Sequence, residues 1–283
     1  MRWLLPLLVC LLLHQQSLSA EPIVPATQIG LLDKRGLTGL DTWLVDTKRE
    51  DPRRVFSATN GMIRISGEGL GYLGTEKEYR DYHLVVEFKW GKTNWHWGDR
   101  VGKAGDSGIF LHATGPDGNS HDGRGAFMAA IECNLFQGAT GDFLLIRGNA
   151  HDGSLIAPRL TTEVANARDG DGSFTWQRGG RRQTVQRWGR VNWSGKDANW
   201  KDVLDFRGAH DVESPPDEWT RGECVCAGDR ITIKVNGVTV NEAFQVYPTK
   251  GKILLQCEGS EIFFRRFELQ PLNVPALPAR RTN

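Results

Sequence analysis

The sequence predicts an all-β protein, two antiparallel sheets packed as a sandwich with little helix. Three observations carry this. Glycine is abundant, 33 in 283 residues, where about 7% is usual, and tight turns are where such glycine belongs. Apolar and polar residues alternate with period two in several stretches. No stretch outside the first residues shows a long helical pattern. The chain is 39% hydrophobic and 24% charged, as an ordinary folded protein is.

The elements come in order. Residues 1–20 have the layout of a secretory signal peptide: a basic Met1-Arg2 start, an apolar run from Trp3 to Leu13, then small residues ending at Ala20. The run is too short to span a bilayer, which needs about twenty apolar residues, and no later segment is apolar enough. The expected location is outside the cytoplasm, in periplasm or medium. In 82–90, Tyr82, Leu84, Val86, Phe88 and Trp90 share one face, a half-buried strand. Stretches 106–112, 130–136 and 142–147 read as further short strands. Residues 149–211 carry four Trp, many Gly and a basic patch at 178–190, and read as a long insertion on the sandwich. Residues 230–240 read as a hairpin about Asn236-Gly237, a type I′ turn pair. Residues 252–258 and 261–269 read as a strand pair about Gly259-Ser260. The Pro-rich tail, 273–283, reads as loose.

Charge narrows the function classes. The formal net charge is +1, and Arg2 supplies it, so the remainder balances. A general nucleic-acid binder needs excess Lys and Arg to neutralise phosphates; none is expected here. Cys133, Cys224, Cys226 and Cys257 come after the leader, and both disulfides and buried free thiols fit them. Cys224-Val-Cys226 lacks the second ligand pair a zinc site needs. Asp169-Gly170-Asp171-Gly172-Ser173 resembles the start of a calcium loop, but Gly180 stands where the closing Glu belongs. P-loop, dinucleotide, HExxH and G-x-S-x-G motifs are absent.

Several short motifs occur in a shared order. They are Gly61, Tyr72-Leu73-Gly74-Thr75, Tyr82-His83-Leu84, Asp106-Ser107-Gly108-Ile109, Ile131-Glu132-Cys133-Asn134, Pro216-Asp217-Glu218-Trp219-Thr220, Asn236-Gly237, Gly251 to Gln256, and Phe264-Arg265-Arg266. In this order and spacing the chain resembles the 3-keto-disaccharide hydrolase family over residues 28–272, apart from the 149–211 insertion. Asn134, Thr220 and Arg266 replace the family's Gln, Asn and Asn, and Glu258 stands where His is frequent. The resemblance implies a concanavalin A-like jelly roll. It also implies an enzyme, a hydrolase or lyase acting on the glycosidic bond of a 3-keto oligosaccharide or glycoside. A base removes the acidic proton beside the ketone, an acid helps the C1 group leave, and water adds afterwards. No cofactor is implied, and the sequence carries no pattern that indicates a divalent metal. The ketone would come from a separate sugar 3-dehydrogenase. The alternative is a non-catalytic carbohydrate-binding module of the same fold.

The residues themselves suggest candidates. Glu132 and Asn134 lie opposite Ile131, Cys133 and Leu135 on their strand, as Gln256 and Glu258 lie opposite Ile253, Leu255 and Cys257. On one curved sheet Glu132, His112, Gln256 and Glu258, from three strands, would all enter one concave groove. Glu132, His112 and Glu258 are the catalytic candidates. Asp106, Ser107, Asn134 and Gln256 are binding candidates. Trp95 and Trp97 read as a flat sugar platform or as core. Arg265 interrupts an apolar face of Phe263, Phe267 and Leu269, and reads as a buried ion-pair partner or a substrate contact.

Overall fold

The computed structural model describes residues 20–32, 36–121, 125–186, 188–215 and 217–272. The leader read at 1–20, except Ala20, and the tail at 273–283 lie outside them. Two large sheets face each other as a jelly-roll sandwich. The first has ten strands, with Tyr82–Asn94 and Ser260–Pro271 paired near its middle and Arg181–Gln186 at one edge. The second has eight, in the order Phe174–Thr175, Arg190–Asn192, Asp142–Ile146, Ala129–Phe136, Asp106–Thr114, Lys252–Glu258, Leu70–Thr75, Leu40–Leu44. Pairing is antiparallel throughout these sheets except between Phe174–Thr175 and Arg190–Asn192. No described helix is long and apolar enough to cross a membrane.

The alternation sets the core. Leu84, Val86, Phe88, Ile233 and Phe264 of one sheet meet Ile109, Ile131, Leu255 and Cys257 of the other, all buried. Burial of such side chains contributes about 1.5–3 kcal/mol each. The four described cysteines are buried and unbridged.

Three expectations change. The Gly259-Ser260 step is not a hairpin: Lys252–Glu258 and Ser260–Pro271 lie in different sheets. Gly259 has φ +85°, and a Cβ there would collide with the Trp97 carbonyl oxygen, so only glycine lets the chain switch sheets here. The 149–211 segment does not sit upon the sandwich; its strands Arg159–Val164 and Arg181–Gln186 extend one sheet, and Phe174–Thr175 and Arg190–Asn192 extend the other. Last, Arg265 is not buried. The strand bulges between Phe264 and Arg266, so Phe264, Phe267 and Leu269 point inward while Arg265 is exposed. A bulge adds one residue and flips the parity of the rest of its strand.

Candidate functional site

The outer face of the eight-stranded sheet carries the site. Ala129–Phe136, Asp106–Thr114 and Lys252–Glu258 are consecutive neighbours in it. Glu132 therefore pairs across to Phe110 on one side and Leu144 on the other, and Asn134 to Gly108 and Asp142. Asp106, Glu132, Asn134, Gln256 and Glu258 line one cleft of about 380 Å³, joined by Arg190. Phe127, Phe136, Leu144, Ile146 and Trp188 form its apolar wall.

Gly108 makes the floor. Its backbone needs no unusual φ; the constraint is space. A Cβ there would run into Glu132 Oε1 and come within 3.0 Å of Gln256 Oε1. Glycine thus lets the two side chains converge over one strand.

Hydrogen bonds fix the polar groups. Asn134 Nδ2 donates to Glu132 Oε1 at 3.0 Å, while Asn134 Oδ1 accepts from an Arg190 guanidinium nitrogen at 2.9 Å. Arg190 Nε donates to Asp142 Oδ2 at 2.9 Å, and Asp142 Oδ1 accepts from the Trp193 amide at 2.7 Å. The chain Asp142–Arg190–Asn134–Glu132 thus aims one carboxyl from behind. Gln256 Nε2 donates to Glu258 Oε2 at 2.6 Å, whereas the buried Gln256 Oε1 has no protein partner. Such an acceptor is costly unless a ligand supplies a donor.

The electrostatics single out Glu132. Burial pushes its carboxyl up to about 8; the Asn134 hydrogen bond opposes this, and the Asp106 charge adds to it. Burial also raises Asp106, against the pull of Arg100 and Arg190. Asp142 is raised by burial and restrained by Arg190 and Lys196. One cleft therefore presents a carboxyl whose proton is poised near neutral pH beside further carboxyls and a fixed cation.

The other candidates lie elsewhere. His112 is not brought to the cleft. Parity with Phe110 would point it there, but pairing shifts register on both sides of it, and its φ is +56°. This bulge turns the ring to Tyr82, with centroids 5.8 Å apart, and to the Pro248 carbonyl at 2.8 Å from Nδ1. Burial lowers its pKa to about 4, so it stays neutral. Ser107 faces the core and donates to the Gln256 carbonyl at 2.8 Å. Trp95 donates its indole N–H to the Ser66 carbonyl at 2.9 Å, and Trp97 packs against the cluster around Leu70 and Tyr72 under Arg53; neither lines the cleft. Arg265 is on the other sheet, 2.6 Å from Glu87 and stacked over Trp219.

Arg190 and Asp142 are not among the residues that sequence reasoning singles out. Arg190 closes a basic patch that reads as solvated. Asp142 does leave a signal: it shares a face with Leu144 and Ile146, and a lone charge on an apolar face needs a partner. A second hollow of about 460 Å³ lies on the ten-stranded sheet. It is lined by Arg182, Arg230, Asp229, Glu163 and Glu242. Its charges are partly exposed and some pair with neighbours, as Glu242 does with Arg178 at 3.3 Å.

A family model described as a 3-keto-alpha-glucoside-1,2-lyase-like domain matches residues 29–270. No curated protein matches the chain. Among solved structures, a candidate glycosyl hydrolase from Parabacteroides distasonis is 16% identical, with 87% of this chain and 99% of that one covered and a TM-score of 0.45. The carbohydrate-binding module CBM66 from Bacillus subtilis is 11% identical, covering 82% and 95%, with a TM-score of 0.42. A β-glucanase from Bacillus licheniformis is 14% identical, covering 76% and 81%, with a TM-score of 0.37.

Proposed function

The chain belongs to the 3-keto-alpha-glucoside-1,2-lyase-like family, and from that premise we propose that it cleaves 3-keto glycosides by elimination beside the ketone. The poised Glu132 carries the reading. Its carboxylate takes the C2 proton, and the C–H electron pair moves into the enolate. The enolate collapses with loss of the C1–O bond, and the departing oxygen takes a proton from Glu258. Water added across the resulting double bond gives the hydrolysed sugar. Arg190 faces the cleft as the cation for the enolate oxygen, and Gln256 Oε1 accepts from a sugar hydroxyl. A base of pKa near 8 suits this work, because catalytic groups do best near the operating pH. The oxidation that makes the ketone belongs to a separate sugar 3-dehydrogenase. The leader at 1–20 supports export.

The test is incubation of the purified protein with a 3-keto disaccharide and analysis of products. Turnover should rise with pH through an apparent pKa near 8. Glu132→Gln should lower kcat at least about a hundredfold and leave sugar binding in place, because the amide still hydrogen-bonds. Binding without turnover in the wild type would make the protein a carbohydrate-binding module instead.

A further inference from the structure

We propose that the hollow on the ten-stranded sheet is a non-catalytic binding site for a uronate-bearing saccharide. It shares no lining residue with the cleft and does not depend on the chemistry read there. Three donors that line it have no partner in the protein. Arg182 and Arg230 come from different strands, Arg181–Gln186 and Arg230–Val235, yet both guanidiniums converge on the Phe244 ring, 5.2 and 5.8 Å from its centroid. Among the described residues neither makes an ion pair or a side-chain hydrogen bond. Two like charges at one ring repel unless an anion joins them. A bulge supplies the third donor. Ala243 and Val246 are both buried, so two residues stand between inward positions where a regular strand has one. Pairing with Arg159–Val164 shifts register there, and Gln245 takes φ +52°. The Thr161 hydroxyl donates to Gln245 Oε1 at 2.9 Å. This fixes the amide and leaves its Nε2 without a partner among the described residues.

A carboxylate suits this set. A guanidinium is a planar fork that meets a planar carboxylate with two parallel bonds, and the Gln245 amide adds another donor. The rest of the lining restricts the ligand to one such charge, because Asp229, Glu163 and Glu242 stand around the same hollow. Nucleic acid, with a phosphate at every step, would bring further anions against those carboxylates. A ligand ammonium finds little uncompensated charge there: Glu242 is paired with Arg178 at 3.3 Å, and Glu163 accepts the Gly179 amide at 2.7 Å. Sugar hydroxyls, by contrast, donate to a carboxylate without bringing charge, and Asp229 is exposed to receive them. The volume, about 460 Å³, falls in the range of small-ligand sites. The ligand class is a uronic acid flanked by neutral sugars. Such a contact holds the protein on an acidic polysaccharide and leaves the cleft open.

Calorimetry at low ionic strength tests this with an aldobiouronic acid, one glucuronate linked to one xylose, and with its methyl ester, which keeps the hydroxyls and loses the charge. Wild type should bind the acid and prefer it to the ester about tenfold, the worth of one charge-assisted hydrogen bond. Arg182→Gln and Arg230→Gln change exposed positions, so the fold should survive, as an unchanged melting temperature would verify. Each should weaken binding of the acid about tenfold and remove most of the preference over the ester. Glu132→Gln should bind the acid as wild type does, so a failure of the cleft chemistry leaves this result untouched. No binding of the acid by wild type, equal binding of acid and ester, or full binding in both arginine variants overturns the site. Arginine-dependent binding of inorganic phosphate or single-stranded DNA as tight as that of the acid overturns the uronate assignment.

Discussion

Three neighbouring strands change character along one face within two residues. Phe110, Ala130 and Leu254 belong to a dry cluster with Leu70 and Tyr72, roofed by Phe127 and Ala126. One step further along each strand stand Gly108, Glu132 and Gln256, and beyond them Asp106, Asn134 and Glu258. Both halves belong to the same three strands. They differ in side chains and in whether a loop covers them. The dry half explains the wet one: Glu132 sits on the boundary rung, between Phe110 and Leu144, where its charge has apolar walls and little water. Covered residues thus raise the Glu132 carboxyl by denying it solvent.

The largest expected effect breaks the dry half. Phe110→Ala should cost about 3–5 kcal/mol in chemical denaturation, and the water it admits should bring the rising pH limb of activity below 8. A drop in stability with an unmoved limb would separate the two halves.

The next sharpens the charge on the boundary. The folded pKa of Glu132 lies above its ordinary 4.5, at about 8. Its contribution to stability is therefore complete below pH 4.5 and lost progressively as pH rises to 8. Glu132→Gln does not titrate, so it should gain on wild type by up to about 1.4 kcal/mol per pH unit in that window. Melts across and beyond that window read the difference, and parallel curves would refute it.

Gly108→Ala tests the floor. The added methyl meets Glu132 and Gln256, and overpacking of this kind costs about 1–3 kcal/mol. Its kcat should fall more than its stability suggests, because the converging pair is pushed apart; stability loss with full activity would deny that convergence matters. The smallest effect is expected on the far sheet, where Arg265→Ala removes an exposed ion pair and should cost under about 1 kcal/mol, with no change in turnover.

The strands are legible in the sequence because alternation is local. Residues 82–90 of the strand Tyr82–Asn94 and the hairpin at Asn236-Gly237 read directly from period two and one turn signal. The same parity puts Glu132, Asn134, Gln256 and Glu258 on one side of their strands, and the sheet order brings them together. A single extra residue is what misleads. Bulges at His112 and Arg265 reverse parity, and nothing local marks a bulge, because its cause is the partner strand. The sheet switch at Gly259 is likewise hidden. Gly-Ser serves a turn as well as a crossing, and the Trp97 backbone that decides between them is close in space but far along the chain, in a separate loop. Arg190 is hidden among exposed arginines until its strand joins the sheet beside Asp142–Ile146.

The direct test is an NMR titration of the Glu132 side-chain carboxyl carbon in the intact protein, assigned by its loss in Glu132→Gln. A midpoint near 8 is expected, falling in Phe110→Ala. A midpoint near the ordinary 4.5, unmoved by that substitution, would contradict the claim that the dry half holds the proton on Glu132.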